Sequence, residues 1–337
     1  MKTKIFDAKN KEDIKNAADI LKSGGVVAIP TETVYGLAAS CLDETAVKKV
    51  FEAKGRPQDN PLILHVDSVE MLNIVVSELS DKAIMCANAF WPGPFTMVLP
   101  RKSTIPASVC GGLDTAAVRC PSQPTARAVI TATGVPLAAP SANLSGSPSP
   151  TTWQHVSADL DGKIDAIIKD EPCAVGVEST VVSLAGGRPR LLRPGAVTVE
   201  QLTAVLPDLE IDEAVAGKFV SGKASSPGMK YKHYAPKCEL YMINADNTAF
   251  AGYVNSKNDA AVLCFEEEAG LITVKDKLVY GSQQKPELTA RRLFESLREL
   301  DRMRVKKAYV HAPVSSGMGL AVYNRLQRAC EFREIKL

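Results

Sequence analysis

The sequence predicts an α/β protein in two parts: an N-terminal domain on a large mixed sheet, a linker, and a small Rossmann-like, doubly wound C-terminal domain. Three observations carry this. Helical and strand periods alternate through roughly the first 200 residues, which is the pattern of an α/β or α+β layer fold. The period then breaks over 207–237, a stretch ending in SGKASSPGMKYKHYAPK, rich in Gly, Ser and Pro. Alternation resumes from 238 to 337. The domains are therefore expected at 1–206 and 238–337, with 207–237 as linker; a chain of 337 residues is also long for a single domain.

Taken in order, Asn10 can cap a helix whose apolar positions Ile14, Ala17, Ala18 and Leu21 recur at helical spacing, and Gly24-Gly25 ends it. VVAIP reads as a buried strand terminated by Pro30, and Asp43 starts a second helix through Val47, Val50 and Phe51 that stops at Gly55. Strands are expected at PLILHV, PFTMVLP, TAAVRCP, VPLAAPSA, IDAIIKD, STVVSL and RLLRPG, with helical patterns at 67–79, 80–90, 123–133 and 198–206. Strand order is not readable. Beyond the linker come strands CELYMI and AAVLCF, and a long helix from Thr289 carrying Leu293, Phe294, Leu297, Leu300 and Met303. Strand KAYVHA and a helix from Gly319 to Cys330 complete the chain. No Gly-x-Gly-x-x-Gly follows the first C-terminal strand, so the pattern there makes no nucleotide claim.

Composition narrows the function. A net charge of +2 argues against a broad basic surface and nonspecific polyanion binding, but leaves room for a local basic pocket. No apolar run is long enough to span a bilayer, and the N-terminal MKTKIFDAKNKED lacks a secretory core. A cytoplasmic protein without a membrane partner is expected. Eight cysteines are scattered with no Cys-x-x-Cys pair, and there are four histidines; this spacing favours reduced, buried thiols over a structural metal.

Unusual polar residues collect at strand ends in the N-terminal domain. PTETVYGLA presents Thr31, Glu32, Thr33 and Tyr35; KGRPQDNPLILHV presents Lys54, Arg56, Asn60 and His65. DTAAVRCP places Thr115 and Arg119 on one face of a strand. APSANLSGSPSPTT holds Ser141, Asn143, Ser145, Ser147 and Ser149, while GVEST and LLRPG add Glu178, Ser179, Thr180 and Arg193. Alone, each reads as a turn, a cap or a packed strand residue. Together, Lys54, Arg56, Arg119 and Arg193 lie beside apolar strands where unpaired cations are costly and where Asp and Glu are scarce. That combination calls for an anionic ligand, and a phosphate suits both arginine's fork and lysine's point charge. No GxxxxGK[ST] loop is present, so this is not a P-loop site. Lys54 and Arg56 are expected in an exposed loop, outside the core.

The ordered set PTETVYGLA, KGRPQDNPLILHV, WPGPFT, AVRCP, APSANLSGSPSPT, VESTVV and LLRPG resembles the YrdC-type threonylcarbamoyl-AMP synthases. The linker SSPGMKYKHYAP and the added C-terminal domain resemble their long, two-domain Sua-five form. The resemblance implies a twisted open sheet with a concave basic cavity. It implies condensation of L-threonine, bicarbonate or CO2, and ATP into threonylcarbamoyl-adenylate and pyrophosphate. A downstream threonylcarbamoyl transferase complex would pass the group to the tRNA adenosine next to the anticodon; direct tRNA contact by this chain is left open.

Carried over by motif, the catalytic signature falls on Lys54, Arg56, Ser141 and Asn143. The ATP side comprises Arg56, Asn60, Thr115, Ser141, Ser149, Arg193 and Tyr231. The threonine side comprises Thr33, His65, Arg119, Ala139 and Ser179. No prosthetic group or dedicated metal site is implied, and Mg2+ would ride on ATP as part of the substrate. The linker is expected to close over the cavity as a lid, with Tyr231 reaching the nucleotide. Two other readings remain at this stage. A concave basic surface could hold double-stranded RNA or tRNA without catalysis. The YrdC-like part of hydrogenase-maturation carbamoyltransferases is related, but carries Cys pairs lacking in this sequence.

Overall fold

The computed structural model describes residues 2–213, 215, 233–257 and 259–337. Tyr231 and most of the expected lid segment lie outside the described residues. The chain forms two compact units; 146–148 and 175–177 group with the second.

The first unit starts with β1 (Lys4–Asp7) and α1 (Lys11–Lys22), followed by β2 (Val27–Ile29) and β3 (Gly36–Ser40). Asn10 caps α1 by accepting from the Glu12 amide. Next come α2 (Glu44–Lys54), capped by Asp43, and β4 (Ile63–His65). Then follow α3 (Leu72–Val75), α4 (Asp81–Phe90), β5 (Phe95–Pro100), β6 (Thr115–Arg119) and α5 (Pro124–Thr133). The unit continues with β7 (Leu137–Ala138), α6 (Trp153–Leu160), β8 (Ala166–Lys169), β9 (Thr180–Ser183), β10 (Arg190–Arg193), α7 (Val199–Val205) and β11 (Glu210–Ile211).

Among the described residues these strands form one mixed sheet of eleven, ordered β1-β8-β2-β3-β7-β4-β6-β5-β9-β10-β11. The apolar run VVAI is explained by burial on both faces. Val26 and Ala28 enter a core with Leu37, Val50 and Val156, under α2 and α6. Val27 and Ile29 point the other way, into a core with Leu21, Val129 and Ile130, under α1 and α5.

Departures from the expected elements have local causes. The helical pattern at 67–79 shrinks to one turn, because Val76 turns extended (φ −101°, ψ 144°) and bridges to Arg101. VPLAAPSA contributes only the two-residue β7, since the prolines on either side cannot donate to a ladder. Helix α6 went unforeseen because its cap, Thr152, sits in a Ser/Pro/Thr-rich stretch that reads as loop. β1 and β3 are also additions to the expected pattern. β11 pairs with β10 and carries the first unit's sheet past 206, to Ile211.

The second unit runs β12 (Glu239–Asn244), α8 (Asn247–Asn255), β13 (Ala261–Phe265), β14 (Lys277–Gly281), α9 (Pro286–Met303), β15 (Lys307–His311), α10 (Gly317–Ala329) and β16 (Glu334–Lys336). Its strands pair in parallel in the order β14-β13-β15-β12-β16. Helix α9 begins earlier than Thr289 because Pro286 occupies its first turn, where proline's missing amide costs nothing. The elements α8, β14 and β16 were not anticipated from the sequence. No helix among the described residues is long and apolar enough to cross a membrane.

Candidate functional site

Helix α2 ends where the sequence places a glycine: Gly55 is left-handed (φ 62°), and the chain closes back with Arg56 N donating to Phe51 O at 2.9 Å. Lys54 lies on the same face of α2 as Ala46, Val47, Val50 and Phe51, the buried one, so it points inward rather than to solvent. Lys54 is only 2% exposed, which corrects the expectation of an exposed loop residue. Its Nζ donates to Ser141 O at 2.5 Å, Asn143 O at 2.5 Å and Asn143 Oδ1 at 3.3 Å. Ser141 Oγ donates to the same Oδ1 at 2.5 Å, and Asn143 Nδ2 donates to Leu144 O at 2.8 Å. Lys54 thus forms one hydrogen-bonded unit with Ser141 and Asn143, nearly ninety positions away along the chain. The buried ammonium is matched by three oxygens, and it braces the APSANLS loop.

Arg56 remains half-buried and folds its own loop, with Nε donating to Asn60 O at 3.3 Å and Nη2 to Pro61 O at 3.0 Å. Asn60 is buried, and its side-chain oxygen has no hydrogen-bond partner among the described residues. A buried acceptor without a donor costs roughly 1–3 kcal/mol, which sets Asn60 apart from the other polar residues of this loop.

A second cluster is built by strand register. His65 lies opposite Arg119 across β4 and β6, and Arg119 lies opposite Thr96 across β6 and β5. Laterally paired residues share a sheet face, so His65, Arg119 and Thr96 form one polar row in an otherwise apolar sheet. Thr33 joins it by accepting from Arg119 Nη1 at 2.8 Å, and Ser179 joins through a 2.8 Å hydroxyl contact with Thr96. Ala139 flanks the row, its amide bonded to Ile63 O at 2.9 Å. His65 has Nδ1 at 3.2 Å from Ile63 O. Burial, reinforced by the Arg119 charge, pushes its pKa down to about 3, so the imidazole is neutral at physiological pH.

Arg119 is not short of a carboxylate, contrary to expectation: Glu32 Oε2 lies 2.7 Å from its Nη2, both side chains being buried. The local scarcity of acidic residues held along the chain but not in space. Burial alone would raise the Glu32 pKa; Arg119 outweighs it and holds the carboxyl below its ordinary value.

The third cluster is Arg193, Ser179, Ser149 and Glu178. Arg193 donates through Nε to Ser179 O at 3.0 Å and through Nη2 to Ser179 Oγ at 3.1 Å. Ser149 Oγ donates to Glu178 Oε1 at 2.5 Å, with both residues buried. Gly195 makes this packing feasible, since a Cβ there would fall 2.3 Å from Thr180 N. Thr115, at the opposite end of β6 from Arg119, forms no side-chain hydrogen bond to these clusters among the described residues.

Thr96, Glu32 and Glu178 are structural members of these clusters that the residue roles inferred from sequence omitted. A threonine in the apolar run PFTMVLP was the readable signal for the first. Cys120, next to Arg119, is buried and pushed up to about 11, which makes it a poor nucleophile. No group of three or more His, Cys, Asp or Glu suited to a metal ion occurs among the described residues.

This geometry has close counterparts. The Sua5/YciO/YrdC family model, described as telomere recombination, matches residues 19–195, and the model for the threonylcarbamoyl-AMP synthase C-terminal domain matches 197–330. The threonylcarbamoyl-AMP synthase of Pyrococcus abyssi is 44% identical over 331 residues, covering 96% of each chain. That of Bacillus subtilis is 41% identical over 332 residues, covering 97% of this chain and 95% of its own. The crystal structure of P. abyssi Sua5 complexed with L-threonine superposes with a TM-score of 0.92 at 40% identity, covering 100% of both chains. With both family models matched in order and these identities sustained over nearly the whole length, the chain belongs to the two-domain threonylcarbamoyl-AMP synthase family.

Proposed function

We propose that this protein condenses L-threonine, bicarbonate or CO2, and ATP into L-threonylcarbamoyl-adenylate and pyrophosphate, the activated group for the threonylcarbamoyladenosine modification of tRNA. The observation that carries the residue assignment is the register-matched row of His65, Arg119 and Thr96, with Thr33 and Ser179 bonded into it. Such a row offers a cation for a carboxylate and neutral hydroxyl and imidazole partners for an alcohol, as threonine requires. The relative solved with L-threonine supports that choice of amino acid.

In this reading Arg119 holds the threonine carboxylate, while Thr33, His65 and Ser179 take the hydroxyl, with Ala139 against the methyl. The free amine adds to CO2 and releases its proton to solvent, giving a carbamate. A carbamate oxygen then attacks the α-phosphorus of ATP and pyrophosphate leaves. His65 is too weak a base to accept the amine proton with a pKa of about 3, so it serves as a hydrogen-bond partner.

The protein's contribution is positioning and charge. Lys54 holds the Ser141–Asn143 loop so that its donors and its own positive charge meet the phosphates. Arg56, Asn60, Thr115, Ser149, Arg193 and Tyr231 line the nucleotide, with Asn60 supplying its free acceptor. Mg2+ travels with the ATP phosphates as part of the substrate. The product passes to a threonylcarbamoyl transferase complex. Incubation with labelled bicarbonate and ATP, with and without threonine, tests this: a labelled adenylate must form only when threonine is present. Equal ATP consumption without threonine would overturn the reading.

A further inference from the structure

Arg119 is 3% exposed and gripped from three sides. Nε donates to Gly93 O at 3.3 Å, Nη1 donates to Thr33 Oγ1 at 2.8 Å, and Glu32 Oε2 sits 2.7 Å from Nη2. Glu32 is itself held firmly. The Ser122 amide donates to its Oε1 at 3.2 Å. Its backbone lies in a turn locked by Thr31, whose hydroxyl donates to Val34 O at 2.6 Å and accepts from the Thr33 and Val34 amides. A carboxylate 8% exposed, fixed on both its backbone and its second oxygen, is a rigid reference point for whatever it touches.

The contact between Glu32 and Arg119 is short but poorly aligned. Neither Glu32 Oε2 nor Arg119 Nη2 has a directed hydrogen-bond partner among the described residues. The pair is thus a short ionic contact rather than a straight hydrogen bond, and it does not saturate the fork. A guanidinium has five N–H donors in a planar fork. Nε is committed to Gly93 and one Nη1 proton to Thr33, and Glu32 holds the third arm, Nη2, by charge. An unpaired buried guanidinium would be costly, and Glu32 supplies its counter-charge before any substrate arrives.

We infer that Glu32 is a positioning residue: it orients the Arg119 guanidinium so that its uncommitted N–H groups face the carboxylate of the amino-acid substrate. The inference rests on the reading of Arg119 as the partner of threonine's carboxylate. Because Glu32 acts through Arg119, its effect is confined to that carboxylate. It therefore belongs to binding that is equal in the ground state and the transition state, which appears in KM rather than kcat.

The test is steady-state kinetics of pyrophosphate release by Glu32→Gln and Glu32→Asp, alongside Arg119→Lys. Glu32→Gln puts an amide where the carboxylate stood, and is expected to raise the threonine KM on the order of 10–100-fold, the scale of one hydrogen bond to a charged group. Its kcat and ATP KM should stay within about threefold of the parent. Glu32→Asp keeps the charge and should recover part of the loss. L-threoninol, which lacks the carboxylate, should inhibit parent and variant with the same constant. A folded Glu32→Gln enzyme with an unchanged threonine KM, or one whose ATP KM rises equally, overturns the inference. If Glu32→Gln fails to fold, an unchanged threonine KM in Glu32→Asp overturns it instead. Arg119→Lys separates the two levels. If it leaves the threonine KM unmoved, the assignment of Arg119 itself fails; if it raises that KM while the Glu32 variants do not, only the role of Glu32 falls.

Discussion

Replacing Lys54 by methionine keeps most of the side chain's volume and removes its charge and donors. Three oxygens then lose a donor: Ser141 O, Asn143 O and Asn143 Oδ1, the last keeping its bond from Ser141 Oγ. A hydrogen bond to a charged donor is worth about 1.5–3 kcal/mol net. Against these losses stands the relief of no longer burying an ammonium, a penalty of several kcal/mol. The balance is a destabilisation of roughly 2–4 kcal/mol, because two of the three bonds are short and water can reach only part of the vacated volume. For a unit of about 200 residues, each kcal/mol moves Tm by about 2–4 °C, so a fall of roughly 10 °C is expected. The catalytic effect is separate. Loss of one preorganised charge at the reacting phosphates should lower kcat about 100- to 1,000-fold. Thermal melting followed by circular dichroism gives the first quantity, and coupled pyrophosphate release below the new Tm gives the second. Near-normal turnover with a lowered Tm would reduce Lys54 to a structural brace and remove the Ser141–Asn143 loop from the reaction. An unchanged Tm would refute the bracing geometry.

Serine lacks one methyl of threonine and should react detectably, about 10- to 200-fold less efficiently, whereas valine, which cannot bond the polar row, should be rejected by about 10⁴; valine used as well as serine would exclude Thr33, His65 and Ser179 as the hydroxyl's partners. His65 makes stability pH-dependent with a defined sign. The unfolded imidazole takes a proton near pH 6.5, which the folded one refuses down to about 3, so stability falls with acidification through that window, by roughly 2–3 kcal/mol between pH 6.5 and 4.5. Urea midpoints across that range should fall more steeply for the parent than for His65→Gln, and equal slopes would count against the buried neutral histidine. Gly195→Ala would drive a Cβ into Thr180 N and should cost about 1–3 kcal/mol or more in melting experiments, with impaired turnover from the displaced Arg193–Ser179 pair; a neutral alanine would mean the close approach is not obligatory.

Much of this molecule was legible in the sequence because its signals are local. Asn10, Asp43 and Gly55 mark helix ends at the positions where the caps form, since capping depends on a side chain and its own next few amides. The apolar runs became strands for a similar reason, burial on both faces leaving no room for polar alternation. Where two signals competed within a short stretch, the reading failed. Val76 broke a helical pattern to pair with Arg101, and the cap of α6 hid among turn residues.

The site divides along the same line. The cations and hydroxyls were visible as residue types at strand ends, but their partners depend on sheet order and register, which no local pattern encodes. That Lys54 faces inward follows from its place on the apolar face of α2, after Val47, Val50 and Phe51, together with a loop from residues 141–143 arriving beside it; only the first was readable. That Arg119 has a carboxylate follows from the Glu32 turn meeting the end of β6. Thr96 entered the row only because β5 pairs antiparallel with β6 in a register that sets it opposite Arg119. A shift of one residue would put Thr96 on the other face and Phe95 or Met97 beside the guanidinium. The polar row is therefore a property of the sheet as much as of its residues. The same register that buries Val118 and Met97 on one face holds Arg119, Thr96 and His65 together on the other, so the stability of the core and the alignment of the site are enforced by the same ladder.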